Sequence, residues 1–321
     1  MGIHVARYER EGKTGWGVVD EGMLRPIAGD YTSLGDFLTR GKIAALAMKG
    51  SASEGAVSID SVRVLSPVTA PCSIVCQGLN YGAHRAEAGT SAEKAPFNLL
   101  FMKAASSLSG PNDDVIRPRG VRLLDYELEL GLVIGTSITG RTKITEANLA
   151  EYVAGIVISN DVSARDVQIP QNQWFKGKSY RTFCPTGPYL YLFEREDIPK
   201  LNDIDIRLEV NGEMRQEANT SQLLYGPAET LTELSGLMDL NPGDFIQTGT
   251  PGGVAIKAPS ARAQRIARIL MDEKKMFKIF MKRQMENPNY LKDGDVMRLT
   301  MRSGDGTIDL GVMETRVVAG S

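Results

Sequence analysis

The sequence is poor in the residues on which several common site chemistries depend. Among 321 residues there are only two histidines, His4 and His84, so zinc motifs that need two neighbouring histidines are excluded. The three cysteines, Cys72, Cys76 and Cys184, cannot form a disulfide framework and fit a reducing compartment. No second Cys or His pair accompanies the first two cysteines, which disfavours a structural zinc site.

Long apolar runs and a surplus of one charge are also absent. No stretch approaches the roughly 20 uncharged apolar residues of a membrane span, and the N-terminus has no apolar run like that of a signal peptide. The 37 basic and 39 acidic side chains leave a net charge of −2, which does not favour nucleic acid as a partner. With 42% hydrophobic residues, the composition predicts a soluble, cytoplasmic globular protein.

Short apolar runs separated by Gly, Pro, Asn and Asp recur through the chain and predict a β-rich α+β fold. Residues 1–70 differ from the rest of the chain in composition. Two alternating runs there predict strands of a small sheet, and a helical pattern capped by Thr32 or Ser33 follows. Two prolines then mark a linker. We expect a small N-terminal α/β domain at 1–70 and a main domain at 71–321.

The segment 259–286 breaks this pattern with apolar residues at helical spacing. Eight basic residues against three acidic ones give it a charge of +5. We favour a helical excursion, within 258–290, that packs on its own domain or on a second subunit. A basic helix that binds a membrane surface or a partner is the alternative. The apolar positions are Ile266, Ile269, Leu270, Phe277, Phe280, Met281 and Met285.

Two glycine-containing runs resemble nucleotide-binding loops without having their spacing. The GKS run at 177–179 would need a glycine at position 172, where the chain has Asn172. The TGTPGG run at 248–253 has neither the GxGxxG spacing nor a helical pattern directly after it. Neither run therefore predicts a nucleotide site.

Three acidic residues lie in or at the end of apolar strand patterns. Glu127 and Glu129 are two residues apart in LDYELELGLVIG, so both side chains leave the same face of the predicted strand. Two such carboxylates repel each other unless a cation or a proton lies between them. Asp161 closes a second apolar run, VAGIVISND. Oxygen ligands without His or Cys favour Mg²⁺, Mn²⁺ or Ca²⁺. The alternative is that both glutamates lie on the solvated face of an amphipathic strand.

The run GLNYGAHRAEAG follows a strand pattern and predicts the start of a helix. His84 and Glu87 are three residues apart, on one face of that helix. A neighbouring carboxylate fixes the tautomer of an imidazole and raises its basicity, as deprotonation of water requires. An ordinary surface pair is the alternative.

Six segments, taken in order, resemble motifs of the fumarylacetoacetate hydrolase family, over residues 72–257 and 291–319. The resemblance favours the branch with acylpyruvate hydrolases and 2-hydroxyhepta-2,4-diene-1,7-dioate isomerases. It implies a mixed β-sheet rolled into a barrel-like form, a small N-terminal domain before a catalytic domain, and a homodimer. The segments are GLNYGAHRAEAG, FMKAASSLSGPNDDVIRP, LDYELELGLVIG, GIVISNDVSARDVQ, WFKGKSYRTFCPTGPYL and LNPGDFIQTGTPGGVA.

The resemblance also implies a metal centre and a catalytic pair. Glu127, Glu129 and Asp161 match the family's metal ligands, for Mg²⁺ or Mn²⁺, with Ca²⁺ as a substitute in crystals. His84 and Glu87 match the pair found in members that break carbon–carbon bonds.

Further residues match positions around the substrate of relatives. Lys178, with Gln168 as a helper, is expected to stabilise or reprotonate developing oxyanions. Arg181 stands where many relatives have Asp and could present a positive charge to a second substrate carboxylate. The residues expected to bind substrate are Tyr81, Lys103, Arg181 and Thr250.

The implied activity is metal-dependent hydrolysis of a carbon–carbon bond in a 2,4-dioxo acid of the acylpyruvate or fumarylpyruvate type, in the catabolism of aromatic or related compounds. A decarboxylase, isomerase or tautomerase of 2-oxo acids, with a hydroxymuconate-type substrate or oxaloacetate, is the alternative, because a shared fold does not decide the reaction. A protein that binds a cation or a 2-oxo acid without turnover is the third reading.

Overall fold

Strands make up most of the regular structure, in agreement with the many short apolar runs. The structure is a computed structural model that describes residues 1–50, 55–171, 173–259 and 272–320, without the side chain of Glu273. The described strands are β1 (Ile3–Arg10), β2 (Lys13–Asp20), β3 (Met23–Pro26), β4 (Val57–Ser58), β5 (Arg63–Leu65), β6 (Ile74–Gly78), β7 (Leu99–Lys103), β8 (Leu108–Ser109), β9 (Val115–Arg117), β10 (Leu124–Asp125), β11 (Leu128–Ile134), β12 (Val153–Asn160), β13 (Ser163–Ala164), β14 (Cys184–Pro185), β15 (Leu190–Leu192), β16 (Ile204–Val210), β17 (Glu213–Asn219), β18 (Phe245–Gln247), β19 (Val296–Ser303) and β20 (Asp309–Ala319).

The helices are short and connect these strands. The described α-helices are α1 (Leu34–Arg40), α2 (Lys42–Ala47), α3 (Gly82–Glu87), α4 (Leu149–Tyr152), α5 (Arg165–Gln171), α6 (Trp174–Lys178), α7 (Pro227–Leu234) and α8 (Glu273–Met285). Short 3₁₀ turns lie at Ile59–Ser61, Ala105–Ser107, Arg195–Asn202 and Thr220–Gln222.

Two sheets hold most of the described strands. The larger has eleven strands in the order β4-β3-β2-β1-β15-β12-β11-β18-β6-β7, with β5 also paired to β1, and the smaller has the order β17-β16-β19-β20-β9. The sheet-rich α+β class is confirmed. The barrel-like closure is not seen, because the path from β4 to β7 stays open within the part of the chain described. Side-chain alternation predicts strands but does not say which edges meet.

The N-terminal strands and helices form where the sequence predicted them. The hydroxyl of Ser33 caps α1 by accepting the N–H of Asp36 at 3.2 Å. The strands are not a separate small sheet, because β1 pairs with β15 through Ile3 and Leu192. A pattern of period two identifies a strand without identifying its neighbours. The proposed domain boundary after residue 70 stays a prediction.

The two central strands place the acidic residues side by side. β11 and β12 are antiparallel neighbours and are buried along their whole length. Their register pairs Leu128 with Asn160, so the start of β11 lies beside the end of β12. The N–H of Asp161 donates to the carbonyl of Glu127 at 2.8 Å. Residues distant in sequence thereby meet at one end of a buried strand pair.

The helix predicted in the 259–286 segment is confirmed for α8. Met281 packs against the main hydrophobic core, so this helix contacts its own chain. The apolar positions predicted at Ile266, Ile269 and Leu270 lie outside the described residues. No helix in the described ranges is both long enough and apolar enough to cross a membrane.

Candidate active site

Three buried carboxylates meet where β11 begins and β12 ends. One oxygen from each of Glu127, Glu129 and Asp161 lies within 4.8 Å of the others. Their exposed fractions are 4%, 1% and 0%, so the solvated-face alternative is excluded. The structure brings together the three residues predicted as metal ligands, and this all-oxygen set suits a hard divalent cation.

Buried cations pair with two of these carboxylates. Lys178 Nζ donates to Oε2 of Glu127 at 2.7 Å and to Oδ2 of Asp161 at 2.5 Å. The guanidinium of Arg165 donates to Glu127, and Lys103 Nζ donates to Asp161. Burial alone would raise the pKa of Glu127, but Lys178 and Arg165 together hold that pKa below its ordinary value.

Glu129 differs because no described residue forms a salt bridge with it. Its Oε2 accepts the backbone N–H of Gly249 at 2.7 Å. Burial, followed by the charges of Asp161 and Glu127, raises the pKa of Glu129 well above its ordinary value. A divalent cation between the three carboxylates would compensate the negative charge that Glu129 carries in its ionised form. The donor set and its charge therefore fit Mg²⁺ or Mn²⁺.

A cavity of about 300 Å³ opens beside the carboxylate cluster. Five of the residues predicted for the site lie in its wall. These residues are His84, Glu127, Gln168, Lys178 and Thr250. The hydroxyl of Thr250 also donates to the carbonyl of Leu128 at 3.0 Å and so ties this wall to the start of β11. The chain thus forms one concave site that contains metal-type ligands and titratable groups, as ligand sites do.

His84 and Glu87 lie on the same face of α3, as predicted, but are not hydrogen-bonded. His84 Nδ1 is 3.9 Å from Glu87 Oε2, beyond hydrogen-bond distance. The Glu87 carboxylate instead accepts the backbone N–H of Gly253 at 3.0 and 3.1 Å. The carboxylate is thereby fixed by backbone, and the imidazole, with 7% exposure, borders the cavity.

Several buried polar atoms around the site have no hydrogen-bond partner among the described residues. They include Oε1 of Gln77, the hydroxyl of Tyr81 and Nδ1 of His84. Burial, followed by the charge of Glu129, raises the pKa of Tyr81. An unpaired buried polar group costs about 1–3 kcal/mol, so such groups usually mark a place where water, an ion or a ligand binds.

Three residues predicted to bind substrate lie outside the described cavity wall. Tyr81 and Lys103 are buried, and Lys103 Nζ also donates to the carbonyl of Phe183 at 2.8 Å. Arg181 is exposed in the turn after α6. Their contact with substrate stays a prediction, and the placement of Arg181 does not favour it.

The sequence analysis missed Arg165 and Asp125, which support the cluster. Arg165 Nε donates to Oδ2 of Asp125 at 2.8 Å, and its Nη1 donates to Oε1 of Gln168 at 2.9 Å. One guanidinium therefore positions Glu127 and Gln168 together. Both residues lie within segments already singled out, LDYELELGLVIG and GIVISNDVSARDVQ. A charged residue inside an apolar run was the available signal for Asp125, whereas Arg165 lies in the polar run SARDVQ and had no such signal.

The TGTPGG run also has an unforeseen role, since two of its glycines donate to site carboxylates. Gly249 has φ +92° and Gly253 has φ +102°, in the left-handed region that favours glycine. A Cβ on Gly253 would lie 1.9 Å from the carbonyl oxygen of Arg215. Their N–H groups point to Glu129 and Glu87. The backbone of the TGTPGG run thus donates hydrogen bonds to carboxylates of the protein itself.

Comparison with known proteins identifies the family. The profile of the Fumarylacetoacetate (FAA) hydrolase C-terminal family matches residues 73–318, a span that contains every site residue described above. The chain belongs to the fumarylacetoacetate hydrolase family. It is an enzyme of this divalent-metal-dependent family, and the Glu127, Glu129 and Asp161 cluster could hold the metal.

Three proteins that are similar to this chain have different activities. The mitochondrial oxaloacetate tautomerase FAHD2B of Bos taurus is 40% identical over 198 residues, 61% of this chain and 60% of that protein. A fumarylacetoacetate hydrolase from Exiguobacterium antarcticum is 32% identical, covers 99% of this chain and 100% of its own, and has a TM-score of 0.75. The maleylpyruvate hydrolase of Sphingobium sp. SYK-6, solved with manganese(II) and pyruvate, shares the fold, with 24% identity, a TM-score of 0.72 and coverage of 99% and 100%.

Proposed function

We propose that this enzyme is a divalent-metal-dependent hydrolase that cleaves the C3–C4 bond of a 2,4-dioxo acid. The observation that carries the proposal is the joint position of the three-carboxylate cluster, His84 and Lys178 at one cavity. The cluster suits a chelating small acid, and the histidine suits activation of water. Water and the dioxo acid would yield pyruvate and a carboxylic acid.

The metal would be held by Glu127, Glu129 and Asp161. Mg²⁺ or Mn²⁺, when bound, supplies a Lewis acid for the carboxylate and 2-oxo oxygens of the substrate. The hard oxygen ligands suit either ion, and Mg²⁺ is the one that we propose as native. The manganese in the structure of the maleylpyruvate hydrolase, which shares this fold, is consistent with the proposal.

His84 would act as the general base. Its imidazole borders the cavity, and its Nδ1 has no partner among the described residues. Glu87, held by Gly253, lies 3.9 Å away and could close onto the imidazole when substrate binds, because hydrogen bonds of catalytic groups are often long before binding. His84 would take a proton from water as the oxygen attacks C4.

Lys178 and Gln168 would handle the charge that develops in the substrate. Lys178 Nζ uses two hydrogen bonds for Glu127 and Asp161, so its third N–H is left for a substrate oxygen. Gln168 gives its Oε1 to Arg165 and keeps its amide N–H groups for a ligand. After the C3–C4 bond breaks, its electron pair forms the enolate of pyruvate, which is reprotonated at C3.

A second candidate is tautomerisation of oxaloacetate between its keto and enol forms. The 40% identity with the bovine oxaloacetate tautomerase favours it, and that reaction needs proton transfer but no attacking water. The 3.9 Å separation of His84 and Glu87 is compatible with either reaction.

Product analysis with purified protein and Mg²⁺ or Mn²⁺ decides between hydrolysis and tautomerisation. Incubation with 2,4-dioxopentanoate should give pyruvate and acetate in equal amounts by NMR, with oxaloacetate assayed in parallel for the enol-to-keto change. His84→Ala serves as the matched control for water attack. Rapid oxaloacetate tautomerisation without cleavage of any dioxo acid would make the second candidate the better one.

Assembly and location also remain proposals. The family resemblance supports a homodimer in the cytoplasm. Sedimentation of the purified protein at micromolar concentration should show a species of twice the 34.9 kDa chain mass. A monomer at these concentrations would contradict the proposed dimer.

A further inference from the structure

The charged part of the cavity wall is already internally paired. Glu127 accepts hydrogen bonds from both Arg165 and Lys178, and Gln168 joins this group through Arg165. Within the described wall, both cations are therefore engaged by carboxylates of the protein. The third N–H of Lys178 serves the reacting end of the substrate in the proposed mechanism, so a second carboxylate would find no further cation in this described wall. Arg181, which could have supplied one, is exposed and outside this wall.

The rest of the described wall is mainly apolar. Besides Leu79, five large apolar residues from different elements and loops contribute to it: Phe101, Ile169, Trp174, Ile256 and Phe280. The rings of Phe101 and Trp174 lie 5.0 Å apart, edge to face, and so support each other. This surface would accept a hydrocarbon group, whereas an unpaired carboxylate would lose its hydration without compensation.

Phe280 comes from α8, in the 259–286 segment that the sequence predicted as a helical excursion. The helix is fixed by Gln284, which is 5% exposed. Gln284 Nε2 donates to the carbonyl of Lys257 at 3.1 Å, and the hydroxyl of Tyr290 donates to Gln284 Oε1 at 2.7 Å. Phe280 is one helical turn before Gln284, on the same face. A buried polar anchor thus holds an aromatic side chain in the cavity wall.

We propose that the substrate carries an apolar acyl group at C4, without a second carboxylate, and that Phe280 is a specificity-determining residue which contacts this group. The inference rests on the proposed function, since it names the substrate class of the same site. The 2,4-dioxo acid end faces the carboxylate cluster, and the tail packs against the five apolar side chains.

Binding tests the inference without requiring turnover. The chain has two tryptophans: Trp174 lies in the wall, and Trp16 is buried and stacked on Phe37 at 4.4 Å. Tryptophan fluorescence of the Mg²⁺-loaded protein can therefore follow ligand binding. Phenylpyruvate should bind at least about tenfold more tightly than 2-oxoglutarate. Tighter binding of 2-oxoglutarate would overturn the inference.

Kinetics with a matched pair of substrates tests Phe280 itself. The pair is 2,4-dioxononanoate and 2,4-dioxononanedioate, which differ only in a terminal carboxylate. The wild type should prefer the first in kcat/KM, and Phe280→Ala should lower kcat/KM for it by about tenfold with little effect on 2,4-dioxopentanoate. Phe277→Ala is the matched control, because Phe277 is on the same helix, 37% exposed and outside the described wall.

Phe280→Leu guards against a folding artefact and should retain most of the activity of the wild type. An equal loss with Phe277→Ala, or a wild-type preference for the dicarboxylate, would overturn the inference. If no dioxo acid is cleaved while phenylpyruvate still binds more tightly, the proposed function fails and the apolar specificity of the cavity stands.

Discussion

The backbone N–H of Gly249 donates to Oε2 of Glu129 at 2.7 Å, and this is the contact that orients the one cluster carboxylate without a cationic partner among the described residues. Gly249 adopts φ +92°, and a Cβ there would lie 2.7 Å from Cβ of Asn80. Asn80 is itself fixed, since its Nδ2 donates to the carbonyls of Tyr225 and Thr248 at 3.0 and 2.8 Å. The turn therefore has little freedom to absorb a side chain.

We expect Gly249→Ala to weaken Mn²⁺ binding by about tenfold or more, as loss of a contact that orients a metal ligand usually does. The unfavourable φ should also cost about 1–3 kcal/mol of stability. Isothermal titration with Mn²⁺ measures the affinity. Gly120→Ala is the matched control, with φ +90° and no heavy atom within 4 Å of the added Cβ. An equal affinity loss in both variants would contradict the proposed role of Gly249.

Substitution of the cluster carboxylates should separate metal binding from folding. Glu129→Gln replaces a buried carboxyl group that has a raised pKa and no ion pair by a neutral amide, so the metal-free protein should keep or gain stability while Mg²⁺ binding falls. Glu127→Gln leaves Arg165 and Lys178 with one partner fewer and should cost about 3–5 kcal/mol. Thermal unfolding in chelator, with titration of Mg²⁺, measures both. Greater destabilisation by Glu129→Gln would contradict this assignment of charges.

His84→Ala should lower kcat for dioxo acid cleavage by about two to four orders of magnitude, the usual effect of removing a positioned general base. Glu87→Gln should lose less, because an amide can still hydrogen-bond the imidazole. Mg²⁺ affinity, measured alongside, should stay within about twofold of the wild type, since neither residue belongs to the carboxylate cluster. Normal cleavage by His84→Ala would remove the histidine from the mechanism.

The thiols should be unreactive at neutral pH. Burial raises the pKa of Cys72 and of Cys184 from 9.0 to about 12. Cys72 is only partly buried, so its pKa should limit its rate more than access does. At pH 8 we expect iodoacetamide to modify Cys72 roughly a thousandfold more slowly than a thiol of pKa 9, because the thiolate is the nucleophile. Mass spectrometry of the Cys76→Ser/Cys184→Ser protein isolates Cys72, and rapid labelling at pH 8 would contradict the prediction.

The raised pKa of Cys72 also predicts how the stability of the protein depends on pH. The folded protein keeps thiol protons that the unfolded chain releases above pH 9, so this contribution is complete below pH 9 and is lost as the pH rises towards 12. The free energy of unfolding in urea should therefore fall between pH 9 and 11. Cys72→Ser should show a shallower fall than the wild type.

Local features of the fold were predictable because they depend on neighbours in sequence. The alternating run before residue 21 predicted the strands β1 and β2, and Ser33 predicted the start of α1. Sequence could not predict that β1 pairs with β15, since that pairing joins residues almost 190 positions apart. The open path of the larger sheet was missed for the same reason.

The candidate active site shows the same difference between features that depend on sequence neighbours and features that depend on distant residues. By itself the sequence determined that Glu127 and Glu129 share a strand face, that His84 and Glu87 share a helix face, and that the motifs resemble those of a metal-dependent family. Only the tertiary structure decided the electrostatics of the cluster. Lys178 is 51 residues from Glu127, and Lys103 is 58 residues from Asp161, yet each pair is in contact. Charge interactions depend on distance and burial in space, and neither quantity is contained in a local pattern.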